Sequence, residues 1–235
     1  MVVRVWVVRD GRAVAETAEE WLSPRERAQA AEWAVDDRRE TFMVSRALQR
    51  ALGARHLGVS VERVGISRAC AHCPDPGHGK PHFADAPELD YSVSHTRGLI
   101  VLAASTGTRV GVDVESGSRE IEPAGMTRLL ASEPELRALS STATALEPQA
   151  LFRLWARKEA VVKLTGHGIL QVPFTALSVD GPTARLDSPP PGWPEEPVHV
   201  TDLPLGDGVF AALATTCADP EVTVTELRRV ADLAL

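Results

Sequence analysis

Three short stretches hold acids, hydroxyls and amines at spacings that suit phosphate chemistry. The first is Gly111-Val112-Asp113-Val114-Glu115. Strand side chains alternate faces, so Asp113 and Glu115 point one way while Val112 and Val114 point into a core. Two neighbouring carboxylates repel unless a cation sits between them. Oxygen-only ligands without a nearby His or Cys suit a hard ion, Mg2+ or else Mn2+. A solvent-facing strand edge carrying two ordinary acids reads the same way.

The second stretch is WARKEAVVK, residues 155–163. On a helix Trp155, Glu159 and Lys163 share a face at i, i+4 spacing, with Phe152 and Val162 beside them. A Glu among bulky apolar groups is partly desolvated and wants a cation or a proton. A plain amphipathic helix with a Glu–Lys pair has the same pattern. The third stretch is Tyr91-Ser92-Val93-Ser94-His95, a strand ending in Ser-His, where hydroxyl, imidazole and backbone N–H groups can hold phosphate oxygens. Neighbouring strand residues face opposite ways, so Ser94-His95 is no hydrolase pair, and no G-x-S-x-G elbow exists.

Gly77-His78-Gly79-Lys80-Pro81 is a loop that presents one Lys and lacks the P-loop pattern. Cys70 and Cys73, with His78 and His82 downstream, form a tight candidate zinc set alongside a reading as plain loop cysteines. The chain has 25 basic residues, and only Lys80, Lys158 and Lys163 are Lys. A site needing a compact ammonium rather than a planar fork keeps Lys against such a bias.

The elements that must position these residues follow from periodicity and caps. Residues 2–8 (VVRVWVV) read as a strand. Ser23-Pro24-Arg25-Glu26 is a helix start, and helical spacing runs from there to Gly53, as one helix or as two with a bend near Asp36-Asp37. Strands are expected at 61–66, 90–95 and 99–105, the last two joined by a Thr96-Arg97-Gly98 turn. A second pass starts at Val110 with a strand over 110–115. A capping box at Ser132-Glu133-Pro134-Glu135 follows, then a helix from Pro148 to Gly166. Strands at 174–179, 198–203, 208–215 and 222–226 complete it, and the Pro-rich 188–197 is a surface loop. Both halves thus run strand, helix, strands, which predicts a pseudo-duplicated α+β protein. Each lobe is then a small, mostly antiparallel sheet against a long helix. The expected partition is 1–108 and 109–235, an Arg-richer half suited to phosphates and an acidic half suited to a cation, with the site at the seam.

Composition limits the partners. With 235 residues, 44% hydrophobic and 24% charged, the chain is an ordinary globular protein. A net charge of -7 argues against nucleic acid. No apolar run is long enough for a bilayer, and residues 1–8 lack signal-peptide features, so no membrane partner is expected. Three cysteines make no disulfide framework, so a reducing cytoplasm is the default expectation.

In this order the motifs resemble the Sfp-type 4'-phosphopantetheinyl transferases, of the two-lobed, monomeric type. The bipartite signature G-[VI]-D … [FW]-x-x-K-E-[AS]-x-x-K reads Gly111-Val112-Asp113 and Trp155 to Lys163; Gly79-Lys80-Pro81 and Ser92-Val93-Ser94-His95 match upstream elements. The resemblance spans about residues 20 to 170. It implies transfer of 4'-phosphopantetheine from coenzyme A to a Ser of apo acyl, peptidyl or aryl carrier proteins, as in polyketide and nonribosomal peptide biosynthesis, with 3',5'-adenosine bisphosphate released. It implies a coenzyme-nucleotide side in the N-terminal lobe and a metal and catalytic side in the C-terminal lobe, with Mg2+ on Asp113, Glu115 and Glu159. It also implies Glu159 as base, directly or through a metal-bound water, Lys163 at the α-phosphate to stabilise or protonate the leaving group, and Asp113 as a further catalytic residue. Coenzyme contacts fall to Lys80, Pro81, Ser94, His95, Lys158 and Lys163. For the 3'-phosphate the candidates are Arg38, Arg39, Arg46 and Arg68, with Arg25 and Arg27 further upstream. Segment 116–140, with Met126, Arg128, Leu129, Leu130 and Arg137, is the expected carrier-docking surface. The rival readings are a Mg2+-dependent phosphodiesterase or hydrolase, and a coenzyme-A-binding module without catalysis.

Overall fold

The computed structural model describes residues 1–9, 11–34, 36–72, 79–138 and 145–235. In chain order the elements are β1 (Val2–Arg9), α1 (Gly11–Ala18), α2 (Pro24–Ala31), α3 (Asp37–Leu57), β2 (Ile66–Ser67), β3 (His82–Phe83), β4 (Asp90–Thr96), β5 (Leu99–Ser105) and β6 (Val110–Ser116). There follow α4 (Pro123–Leu130), α5 (Glu133–Arg137), α6 (Pro148–Thr165), β7 (Leu177–Ser178), β8 (Arg185–Leu186), β9 (His199–Leu203), β10 (Val209–Thr215) and β11 (Glu221–Glu226). Two sheets carry the fold, β11-β1-β5-β4 and β6-β10-β9. All their pairings are antiparallel except β1 with β11.

Apolar alternation explains the layering. In β1, Trp6 and Val8 face α3, while Val3, Val5 and Val7 face the second sheet beside Val110, Val112 and Val114. A strand buried on both faces reads as a continuous apolar run, as VVRVWVV does. The outer face of the second sheet, with Ala212 and Ala214, packs on Ala156, Ala160 and Leu164 of α6. The result is helix, sheet, sheet, helix, with the seam between the sheets.

Several expectations change. Of the two forms expected for the first helical region, the structure has the two-helix one, the first opened by Ser23, whose N–H donates to Glu26 Oε2 at 2.9 Å, the second by Asp36. Gly53 does not end the second. A Cβ there would lie 2.7 Å from Phe83 and Val64, so it is a close-approach glycine inside α3. The left-handed cap is Gly58, φ 65°. Residues 61–63 form a 3-10 turn rather than a strand. α4 is unexpected, although Pro123 in its first turn and Glu122, whose side chain accepts from the Ala124 and Gly125 N–H groups, are local start signals. The last strand returns to the first sheet, and Leu227, Val230 and Leu233 join the α3 core. Residues 221–233 therefore cross the expected partition at 108/109.

Gly111 explains the first letter of the G-V-D motif. A Cβ there would stand 2.0 Å from Ala160 O and 2.5 Å from Leu164 N, because α6 lies directly on this face of β6. Gly111→Ala should lower unfolding stability by about 3 kcal/mol in urea titrations, the usual scale for overpacking. Gly65→Ala, whose added methyl would meet nothing within 4 Å, should stay near wild type.

Candidate active site

β4 and β6 are edge strands of different sheets, yet they are stitched along their length. Asp90, Ser92 and Ser94 project from one face of β4 at i, i+2 spacing. Their side chains accept from successive N–H groups of β6: Val110 to Asp90 Oδ2 at 2.7 Å, Val112 to Ser92 Oγ at 3.1 Å and Val114 to Ser94 Oγ at 3.3 Å. These buried backbone donors of the seam are thereby satisfied.

The ladder has a cation at each end. At one, Lys80 Nζ donates to Asp90 Oδ2 at 2.5 Å and Val110 O at 2.8 Å. At the other, Lys163 Nζ donates to Asp113 Oδ1 at 2.6 Å and Ser94 Oγ at 2.9 Å, and Ser94 itself donates to Asp113 Oδ1 at 2.7 Å. Asp113 is buried, and its Oδ2 has no hydrogen-bond partner. On α6 most residues are buried, whereas Trp155, Glu159 and Lys163 are half-exposed along one line, the shared face expected from spacing.

The acids share a field. Burial, then Asp113, push the Glu159 carboxyl above its ordinary pKa; Glu115 adds to this, and Lys163 offsets part of it. Glu115 is raised by burial and Asp113, and eased by Arg119 and Lys163. Arg119 lies over the Phe152 and Trp155 rings at 5.8 and 5.6 Å, a placement that sequence reasoning missed. Among the described residues no three His, Cys, Asp or Glu side chains gather into a closed metal cage. The set nevertheless fits a hard divalent ion in chemistry: all donors are oxygens, one buried carboxylate oxygen is orphaned, and the acids repel one another.

Beside these groups opens a cleft of about 870 Å3 lined by Trp33, Arg38, Phe42, Arg46, Arg68 and His95, among others. Burial and the neighbouring Arg68 charge both push the Arg46 pKa down. Arg68 Nη2 donates to buried Gln49 Oε1 at 3.3 Å, and its Nε is buried without a partner. Burial, then Lys163, lower the His95 pKa, with Asp113 and a backbone hydrogen bond opposing them. A second pocket of about 250 Å3 joins Arg68, Lys80, Pro81, Val93 and Lys163.

Other expected residues go elsewhere. Lys158 is fully buried, and its ammonium donates to Glu135 at 2.6 Å and to the carbonyls of Leu130, Phe174 and Leu177. It is a core tie rather than a coenzyme contact, because no donor remains for a ligand. Glu135 in turn accepts from the Ser132 and Val179 N–H groups. Lys80 likewise spends its ammonium on the seam, leaving its stem to the pocket wall. Arg39 donates to Ala30 O at 2.9 Å, bracing α3 on α2, and is not among the cleft-lining residues. Of the candidate zinc set, Cys73 and His78 lie outside the described residues. Cys70 Sγ accepts from the His72 N–H, and His82 Nδ1 meets Lys80 O. After α6, His167 is buried and stacks on His72 at 3.6 Å.

Two family models match the chain, "4'-phosphopantetheinyl transferase superfamily" over residues 109–196 and "4'-phosphopantetheinyl transferase, N-terminal" over residues 11–107. The chain is similar to the 4'-phosphopantetheinyl transferase psf-1 of Bacillus pumilus, 37% identical over 47% of this chain and 48% of that protein. It thus spans about half the length of that relative. HetI of Nostoc, also a 4'-phosphopantetheinyl transferase, is 28% identical over 82% of this chain and 78% of its own. AcpT of Salmonella typhi, of the same description, is 32% identical over 54% and 66%. No helix among the described residues is long and apolar enough to cross a membrane.

The raised Glu159 carboxyl has a stability consequence. Its folded pKa exceeds the ordinary 4.5, so the fold binds the proton more tightly and loses stability as pH rises above that value. Without divalent ions, Glu159→Gln should therefore raise the melting temperature at pH 7.5, and the gain should vanish below the ordinary carboxylate pKa. Thermal scans across pH check it.

Proposed function

The chain belongs to the 4'-phosphopantetheinyl transferase superfamily, and we propose that it moves the phosphopantetheine arm of coenzyme A onto a serine of an apo carrier protein. The observation that carries this reading is the Asp113–Ser94–Lys163 cluster beside Glu159, set at the mouth of an arginine-lined cleft. The serine oxygen attacks the phosphorus bearing pantetheine, the bridging P–O bond breaks, and 3',5'-adenosine bisphosphate leaves. Glu159, directly or through a bound water, takes the serine proton. Lys163 meets the charge that develops on the leaving phosphate. Magnesium on Asp113, Glu115 and Glu159 would supply Lewis-acid polarisation of the pyrophosphate, and manganese the same from the same oxygens. Ser94 and His95 orient phosphate oxygens by hydrogen bonds, while Pro81 and the Lys80 stem border the nucleotide.

Among the arginine candidates for the 3'-phosphate, Arg46 and Arg68 are favoured. Both line the cleft, both are part-buried, and among the described residues no carboxylate pairs with them, whereas Arg39 is committed to Ala30. Arg38 stands at the cleft rim. Hydrolysis with water as acceptor is not favoured, because the relatives' names specify transfer.

The carrier would dock on α4. Leu129 is 69% exposed there, and Met126, Arg119 and the neighbouring Glu122 surround a shallow hollow. Apolar side chains rimmed by Arg119 and Arg128 suit an acidic helix presenting a serine. Monomeric action in a cytoplasm is part of the same reading.

Incubation with coenzyme A, Mg2+ and a panel of apo carriers, followed by intact-mass measurement, tests the function: a carrier should gain one phosphopantetheine group. No gain on any carrier, with coenzyme A consumed by water, would decide for hydrolysis. Arg68→Ala should raise KM for coenzyme A about ten- to a hundredfold, the scale of a charged hydrogen bond, and erase discrimination against 3'-dephospho-coenzyme A. Met126→Asp with Leu129→Asp should raise KM for the carrier and leave coenzyme A binding intact, which calorimetry reads separately.

A further inference from the structure

The ammonium of Lys163 occupies the position at Asp113 that a metal would contest. It sits 2.6 Å from Asp113 Oδ1, and Ser94 binds both partners. Asp113 is 5% exposed, so a second cation cannot reach the carboxylate from the solvent side without displacing something. Its other oxygen is buried and empty-handed. Lys163 is 30% exposed and stands on the half-exposed line of α6, with room to swing outward. The other charged groups that act on this cluster are Glu115, Glu159, Arg119 and His95.

We infer that Lys163 is a built-in countercation, neutralising Asp113 until a divalent ion binds and then released outward to the substrate phosphates. The inference rests on the metal reading above and adds an order of events to it. A buried carboxylate cannot be left bare, since an unpaired buried charge is strongly destabilising. While it holds Asp113 and Ser94, this ammonium has one donor left for a substrate phosphate; released from them, it offers all three. A divalent ion on Asp113, its unpartnered Oδ2 included, takes over that neutralisation and frees the amine, so that all of Lys163's donors turn outward only in a loaded site. The exchange also means that the metal competes with an internal cation, which lowers its affinity.

Two measurements test this without relying on turnover. In the first, wild-type protein is labelled with an amine-acylating reagent, with and without Mg2+ alone, and the lysines are quantified by peptide mass spectrometry. The chain supplies its own controls, as Lys158 is fully buried and Lys80 is tied to Asp90. Labelling at Lys163 should rise several-fold with Mg2+, while the other two stay constant. A fall or no change at Lys163, with Mg2+ binding confirmed by calorimetry, overturns the inference and leaves the metal reading standing. In the second, Lys163→Met should bind Mg2+ about tenfold more tightly than wild type, as removal of a partly buried competing ion pair implies. Equal or weaker affinity overturns the exchange. No Mg2+ binding by either protein, with or without coenzyme A, overturns the metal reading and this inference together.

Discussion

The arrangement depends on a hydrogen-bond ladder in which one partner is made of side chains. Two edge strands from separate sheets cannot share an ordinary ladder here, and their N–H groups would be orphaned in the seam. Asp90, Ser92 and Ser94 supply the missing acceptors at the two-residue period of a strand. Only short oxygen-bearing side chains fit, since an apolar group at 92 or 94 would leave a buried amide unpaired at a cost of about 1–3 kcal/mol. The register they impose brings Ser94 against Asp113. The seam that joins the lobes and the site that does chemistry are therefore the same structure, and neither can shift without the other.

That economy has an electrostatic consequence. Asp113, Glu115 and Glu159 repel one another, and burial aggravates it for Glu115 and Glu159. A fold selected for stability alone would remove at least one of them. The sheet and helix instead hold them rigidly: β6 by its register with β10, α6 by its near-complete burial and by backbone contact across Gly111. Strain of this kind is tolerated where the surrounding packing over-determines the geometry, and it leaves the site ready for a cation and a proton acceptor.

Much of this was legible from local pattern. The alternation over 110–115 and the four-residue spacing over 155–163 placed Asp113, Glu159 and Lys163 correctly on their elements, because strand and helix periods are intrinsic to the backbone. What local pattern could not reveal were pairings distant in sequence. β11 alternates like any strand, and nothing in residues 221–226 says that its partner is Val2–Val7. Gly53 has the look of a helix end, but the ring of Phe83, thirty residues on, is the reason for it. The Asp90-x-Ser92-x-Ser94 alternation was visible and could have been read as a polar strand face. Read as phosphate ligands alone, these residues hid their seam role.

The three lysines kept among so many arginines have a physical explanation that differs from the catalytic one they first suggest. A guanidinium is a planar fork that matches a carboxylate or phosphate side-on; an ammonium is a compact centre whose three donors diverge tetrahedrally. Each lysine of this chain meets acceptors that converge on a point. Lys158 gathers three carbonyls and Glu135 from four segments, Lys80 gathers Asp90, Val110 and Leu164 from three, and Lys163 spans Ser94 and Asp113. Arginine at these places would be too wide for the available space and would aim most of its donors past the acceptors. Two of the three ammonium groups are locked by the burial of everything around them. Lys163 alone has fewer protein acceptors than donors and an open side, and that remaining capacity is what distinguishes a reactive amine from a structural one.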